Sequence, residues 1–250
     1  ERIQSGHAVG VPGAIALYAL AHERWGQLPW ARLFEPAIRL AEEGFEVSPR
    51  LHGMLVRMAQ FSDLEEREDT GAYFYPGGEA LPVGFVRDNP AYAATLRAVA
   101  ERGPRAFYEG EVAEAVAARA QQPPRSGALT AEDIAGYEAR IRDAVCAPYR
   151  DLRVCTAPPP SSGVAVLEML GLAERFAPEG LDADVDGWRA FVDAMLLAYA
   201  DRDHYVADAD FVPVPVDELA DPAYWDARAA DRPAPGDAPG IGDPGAVLDE

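Results

Sequence analysis

One stretch of this chain reads as β-structure, and nearly everything else reads as helix or loop. Residues 139–149 and 152–157 form β-like runs separated by Arg150-Asp151, the pattern of a hairpin. With those two residues as the turn, 149 pairs with 152, 148 with 153, 147 with 154 and 146 with 155. Cys146 and Cys155 then oppose each other across a non-hydrogen-bonded pair, where side chains lie closest. A disulfide is geometrically open to them if their Cα atoms lie within about 7 Å. The reading nonetheless favours two reduced thiols acting as small apolar core groups.

On either side the punctuation is helical. Val11-Pro12-Gly13 opens a segment running to Trp25, with Ile15, Tyr18, His22 and Trp25 on one stripe and Gly26 as its stop. A second helix carries Leu33, Ile38, Leu40 and Ala41 and ends at Gly44. Ser48-Pro49 is a cap followed by a first-turn proline, leading to Leu51, Met54, Leu55 and Met58. Residues 65–89 read as loop, with an aromatic cluster at Tyr73-Phe74-Tyr75. Asn89-Pro90 restarts helix as far as Gly103, and residues 111–120 form another short helix. Thr130 and Asp133 stand in capping-box positions. After the hairpin, Pro158-Pro159-Pro160-Ser161-Ser162-Gly163 ends the strand and opens a helix. Trp188, Phe191, Val192, Met195, Leu196 and Tyr199 then make the best amphipathic stripe in the chain. Past Asp208 the sequence is rich in Pro and Asp, with a short helical patch around Tyr224 and Trp225. Residues 231–250 read as a flexible Pro/Gly-rich tail.

Composition narrows the partners. Of the 250 residues 49% are apolar, enough for a sizeable core, and 42 Asp plus Glu face 22 Lys plus Arg for a net charge of −20. Every one of those cations is Arg. So acidic a chain repels phosphate backbones and anionic lipid heads, which argues against nucleic-acid and membrane-surface roles. The absence of Lys removes Walker-type phosphate loops and Schiff-base catalysis. No apolar run approaches the roughly 18 residues of a spanning helix. Two cysteines and four scattered histidines give no zinc-site spacing, and no cofactor is expected.

Three motifs invite chemistry. Asp182, Asp184 and Asp186 with Gly187 match the start of a calcium loop, and Asp193 stands at the twelfth position. That position wants the longer Glu, so an acidic helix N-terminus is the better reading and no metal site is assigned. Asp201-Arg202-Asp203-His204 with Asp208 and Asp210 could form a metal cluster or an acid–base pair. The plainer reading is a helix end with a local ion pair and solvated aspartates. Ser161-Ser162-Gly163 stands at a strand-to-helix corner but lacks the Gly-x-Ser-x-Gly of a nucleophile elbow, and a capping role suits these serines equally.

Several segments in series resemble gamma-glutamyltransferase (gamma-glutamyltranspeptidase), in the later part of its large subunit. They are Ala8-Val9-Gly10-Val11-Pro12-Gly13; Leu33-Phe34-Glu35-Pro36-Ala37-Ile38 through Gly44-Phe45; Ala106-Phe107-Tyr108-Glu109-Gly110; and Leu129-Thr130-Ala131-Glu132-Asp133-Ile134. Pro158-Pro159-Pro160-Ser161-Ser162-Gly163 follows, with Val164 where the family usually has a second glycine. Ala200-Asp201-Arg202 with Tyr205, Asp208, Asp210-Phe211-Val212 and Val214-Pro215-Val216 completes the order.

The resemblance implies an α+β, mostly helical fragment of an N-terminal-nucleophile (αββα) hydrolase, with the hairpin near 140–157 drawn from its sheet. Residues 1–230 would be part of the large subunit, and 231–250 the tail leading toward the processing site. Such a precursor cuts itself, freeing a threonine that attacks gamma-glutamyl carbonyls with its own α-amine as base. Thr70, Thr95, Thr130 and Thr156 do not stand in that context. The chain alone is therefore expected to be inactive and to need the small catalytic subunit as partner, with glutathione or other gamma-glutamyl compounds as substrate. Ser161, Ser162 and Gly163 are the near-site candidates. The family resemblance suggests a periplasmic or secreted protein. A related cephalosporin or glutaryl acylase is the alternative within the class, and a non-catalytic helical binding protein the alternative outside it.

Overall fold

In the computed structural model, which describes residues 5–123 and 125–245, the chain divides into two units between Arg140 and Ile141. The N-terminal unit is built from short helices whose ends follow local chemistry. Helix α1 (Ala14–Trp25) closes where the Gly26 N–H reaches His22 O at 2.7 Å. Helix α2 (Glu35–Glu43) stops at Gly44, whose φ of +86° is left-handed territory that a side chain would strain. Helix α3 (Pro49–Met58) is capped by Ser48, whose Oγ accepts the Leu51 N–H at 3.1 Å.

Helix α4 (Glu68–Phe74) is followed by α5 (Pro90–Arg102), where Asn89 accepts the Tyr92 N–H at 2.9 Å. Then come α6 (Arg105–Tyr108), α7 (Glu111–Ala120) and α8 (Ala131–Ala135). The reciprocal Thr130–Asp133 capping box at α8 is formed. Strands β1 (Phe45–Glu46) and β2 (Val86–Arg87) pair antiparallel.

Residues 65–89, expected as loop, thus contain a helix and a strand. Each strand here is two residues long, too short to leave a period-2 pattern. Helix α4 buries only Gly71, so it shows no apolar stripe. The aromatic cluster anchors this region: Tyr75 is buried and donates to Leu55 O at 2.9 Å.

The core of this unit is divided. Val47, Leu55, Tyr75 and Leu81 form one cluster. Tyr108, Ala113, Ala117 and Ile134 form a second, and Ala41, Ala93 and Leu96 a third.

The C-terminal unit opens with β3 (Val145–Tyr149) and β4 (Leu152–Thr156), turned by Arg150-Asp151 with Arg150 at φ +53°. The register is the expected one, Cys146 against Cys155 and Ala147 against Val154. The expectation of reduced core thiols is overturned: Cys146 and Cys155 are bridged, with Cα atoms 4.1 Å apart. Period-2 alternation explains it. Ala147, Val145 and Val154 face the core, so the cysteine pair falls on the opposite face, where Cys155 is exposed.

Helix α9 (Gly163–Phe176) packs on the hairpin and on α10 (Val185–Tyr205). Helices α11 (Val216–Leu219) and α12 (Pro222–Arg228) also pack against α9. A single apolar cluster joins Val164, Leu167, Leu172, Leu197, Leu219 and Trp225. Trp225 needs Gly171 opposite it, because a Cβ there would stand 2.1 Å from the ring.

Helix α10 buries Ala190, Ala194, Leu197, Ala198 and Asp201 and turns the bulky Trp188 stripe outward, with Trp188 itself 61% exposed. No helix among the described residues is long and apolar enough to cross a membrane.

Candidate functional site

The corner singled out in the sequence joins β4 to α9. Ser161 donates its N–H to Pro158 O at 3.1 Å, and Ser162 occupies the N-cap of α9. The hydroxyl of Ser162 does not cap the helix; it accepts from Arg202 Nε at 3.1 Å, tying the corner to the end of α10. Gly163 is required sterically, since a Cβ would lie 2.3 Å from both Ala157 O and Thr156 Oγ1. The structure therefore brings Ser162 and Arg202 together, which their separation in sequence gave no means of seeing.

The calcium-like run resolves into a helix start. Asp184 is the N-cap of α10, its Oδ1 accepting the Gly187 N–H at 2.8 Å. Asp193, in the twelfth position, is held by Arg189 at 3.3 Å and Arg232 at 2.7 Å. Among the described residues no group of three His, Cys, Asp or Glu is arranged to hold a metal ion. Three of the four threonines spend their hydroxyls locally: Thr70 donates to Asp69, Thr95 to Ala91 O, and Thr130 to Asp133.

What the sequence reading missed is a buried polar centre. Asp201, expected to be solvated, is fully buried. Arg228 grips its carboxylate with two bonds, Nε to Oδ2 at 2.8 Å and Nη2 to Oδ1 at 3.0 Å. Tyr224 donates to Oδ2 at 2.6 Å, and the Gly242 N–H donates to Oδ1 at 2.6 Å. The bidentate fork and added donors satisfy a charge that would otherwise be costly to bury.

Burial alone would raise the Asp201 pKa. Hydrogen bonds from Arg228, Glu168, Tyr224 and Gly242 outweigh it and hold the carboxyl below its usual range. Glu168, also buried, goes the other way: burial first, then its hydrogen bond to Asp201 and the charge there, push its pKa up to about 9. Its Oε1 has no hydrogen-bond partner. Burial and the bond to Asp201 likewise raise the Tyr224 pKa.

One sequence signal pointed here. Residues 190, 194, 197, 198 and 201 recur at helical spacing, which places Asp201 on the small-residue face of α10.

The chain belongs to the gamma-glutamyltranspeptidase family, whose model matches residues 1–232. It is 35% identical over 219 residues to the glutathione hydrolase proenzyme of Escherichia coli (strain K12), covering 87% of this chain and 37% of that protein. It is also 35% identical over 232 residues to the acylase ACY 1 proenzyme of Pseudomonas sp. (strain V22), covering 92% of this chain and 41% of that one. The solved gamma-glutamyltranspeptidase of Helicobacter pylori superposes with a TM-score of 0.83 at 29% identity, over 95% of this chain and 67% of that one. The chain thus spans about two fifths of the length of the curated relatives it matches.

Proposed function

We propose that this chain is the large-subunit scaffold of a self-processing gamma-glutamyl hydrolase and transferase of the N-terminal-nucleophile (αββα) type. The observation that carries the reading is the family match across residues 1–232, set beside relatives whose names mark them as proenzymes. In this reading the nucleophilic threonine lies on a segment outside residues 1–250. Its hydroxyl attacks the gamma-glutamyl carbonyl with the α-amine of the same residue as base, and water or an acceptor amine resolves the acyl-enzyme. The local hydroxyl bonds of Thr70, Thr95 and Thr130 accord with that assignment.

The small catalytic subunit is the partner, glutathione or another gamma-glutamyl compound the substrate, and the Ser161–Gly163 corner the near-site element. Residues 231–250 lead toward the processing site; 246–250 of them lie outside the described residues. The disulfide accords with a periplasmic or secreted protein, because such bridges persist in oxidising compartments.

The experiment is to express the whole gene product and sequence the N-terminus of any smaller fragment. That fragment should begin with threonine and, together with this chain, release the anilide from a gamma-glutamyl anilide. Turnover by purified residues 1–250 alone would overturn the assignment. The equal identity to an acylase proenzyme, together with the likeness to a solved cephalosporin acylase, supports a second reading, cephalosporin side-chain acylase. Preference for a glutaryl-cephalosporin over the anilide would favour it.

A further inference from the structure

Residues 232–242 contain no helix or strand, yet they are fastened to α10 at two levels. At the first, Arg232 Nε donates to Asp193 at 2.7 Å, and the Arg232 guanidinium lies 4.5 Å from the Phe176 ring centre. At the second, eight residues or about 12 Å farther along the helix axis, the attachment is to Asp201 and its neighbours. Asp201 takes the Gly242 N–H at 2.6 Å, Tyr205 donates its hydroxyl to Gly242 O at 2.8 Å, and Arg228 Nη2 donates to Gly240 O at 2.5 Å.

The second attachment grips backbone only. Gly242 is buried, and a Cβ on it would stand 2.0 Å from Tyr224 Oη and 2.7 Å from Arg228 Nε. This is a seat into which one peptide fits and from which any side chain is excluded. A buried ion pair is a poor source of stability but a demanding source of geometry. Tyr224 and the two Arg228 bonds already occupy the Asp201 carboxylate. The additional bond to Gly242 belongs to an irregular segment and is separate from the bonds that join α10 to α12.

We propose that the Asp201, Arg228, Tyr224 and Tyr205 cluster is a clamp that fixes the peptide at Gly240–Gly242 and thereby positions the chain beyond it for self-processing. The inference rests on the self-processing reading above. Processing is net hydrolysis of one peptide bond, in which the hydroxyl of water joins the new carboxyl group and its proton goes to the new α-amine. No co-reactant other than water is needed. The contribution of the clamp is conformational: a segment held at one end samples far fewer arrangements before the attacking hydroxyl finds its carbonyl. Tyr205 and Asp201 are positioning residues, since they act through the backbone they hold.

The test uses the full-length precursor, with conversion to two fragments followed over time by gel densitometry and a melting temperature measured for each variant. Tyr205→Phe removes one donor to Gly242 O and leaves the Asp201 bonds in place. Gly242→Ala fills the seat. Ile134→Val, in the N-terminal unit, is the control for a general loss of stability. Tyr205→Phe and Gly242→Ala should slow processing by about tenfold or more. Ile134→Val, with a matched drop in melting temperature, should process at the wild-type rate. If Gly242→Ala fails to fold, Tyr205→Phe decides. Wild-type rates in the clamp variants, or equal slowing in the control, overturn the clamp while leaving the self-processing reading intact. A wild-type precursor that never cleaves overturns both.

Discussion

The two units solve the problem of a core in different ways. The N-terminal unit spreads its apolar side chains over three small clusters, each lying under short helices fixed by caps. The C-terminal unit gathers its apolar side chains into one cluster and sets a buried ionic group beside it. Distributed packing tolerates local damage, because each patch answers for its own helices. A single centre concentrates the consequences, because α10, α12 and the irregular segment at Gly240–Gly242 all meet at Asp201.

The sharpest way to break this contrast is Asp201→Ala. It strips both Asp201 bonds from the buried Arg228 guanidinium, leaving it only the exposed Asp231 carboxylate at 3.0 Å as ionic partner, and should cost about 3–5 kcal/mol in denaturant unfolding. A loss below 1 kcal/mol would mean that the centre is not central. In the N-terminal unit Ile134→Ala should cost about 2–4 kcal/mol, the cavity cost of a fully buried aliphatic side chain. Near-UV circular dichroism of the Trp225 environment should not change if the damage stays local.

Glu168→Gln sharpens the comparison in the opposite direction. The Glu168 pKa is raised in the fold, so its stabilising contribution is complete below the ordinary glutamate value of 4.5 and is lost as pH climbs toward about 9. Glutamine can donate to Asp201 without an ionisable proton, so the variant should gain on the order of 1–3 kcal/mol at pH 8. Its stability should also decline less between pH 5 and pH 9, a range set by the raised Glu168 value. Asp201, whose pKa is lowered, adds the opposite trend: its contribution is present above the ordinary aspartate value of 3.8 and is lost as the solution is acidified past it. A Glu168→Gln variant that parallels the wild-type pH curve would remove Glu168 from the explanation. The smallest effect belongs to the caps: Ser48→Ala should cost about 1 kcal/mol, measurable as a small shift in the urea midpoint.

The same contrast decides what could be read from the sequence. Signals confined to a few residues came through: the Ser48-Pro49 cap, the Thr130–Asp133 box, the stops at Gly44 and Gly103, and the hairpin register about Arg150-Asp151. Features that depend on distant partners did not. The bulky stripe of α10 carries more hydrophobicity than its small-residue face, yet the alanines and Asp201 are the buried side, since small groups allow close approach to a neighbouring element. Nothing near Asp201 in the sequence announces Arg228 or Gly242, which lie 27 and 41 residues away. The serine corner was found by its local pattern, while its tie to Arg202 spans 40 residues.

The exclusive use of arginine for positive charge gives the centre an asymmetry toward alkali. A guanidinium keeps its proton through the ordinary alkaline range, so the Arg228–Asp201 pair does not lose its cation as the solution becomes basic. The group beside that pair that alkali does reach is Glu168, whose pKa is pushed up to about 9, so a basic solution sets a second negative charge near Asp201.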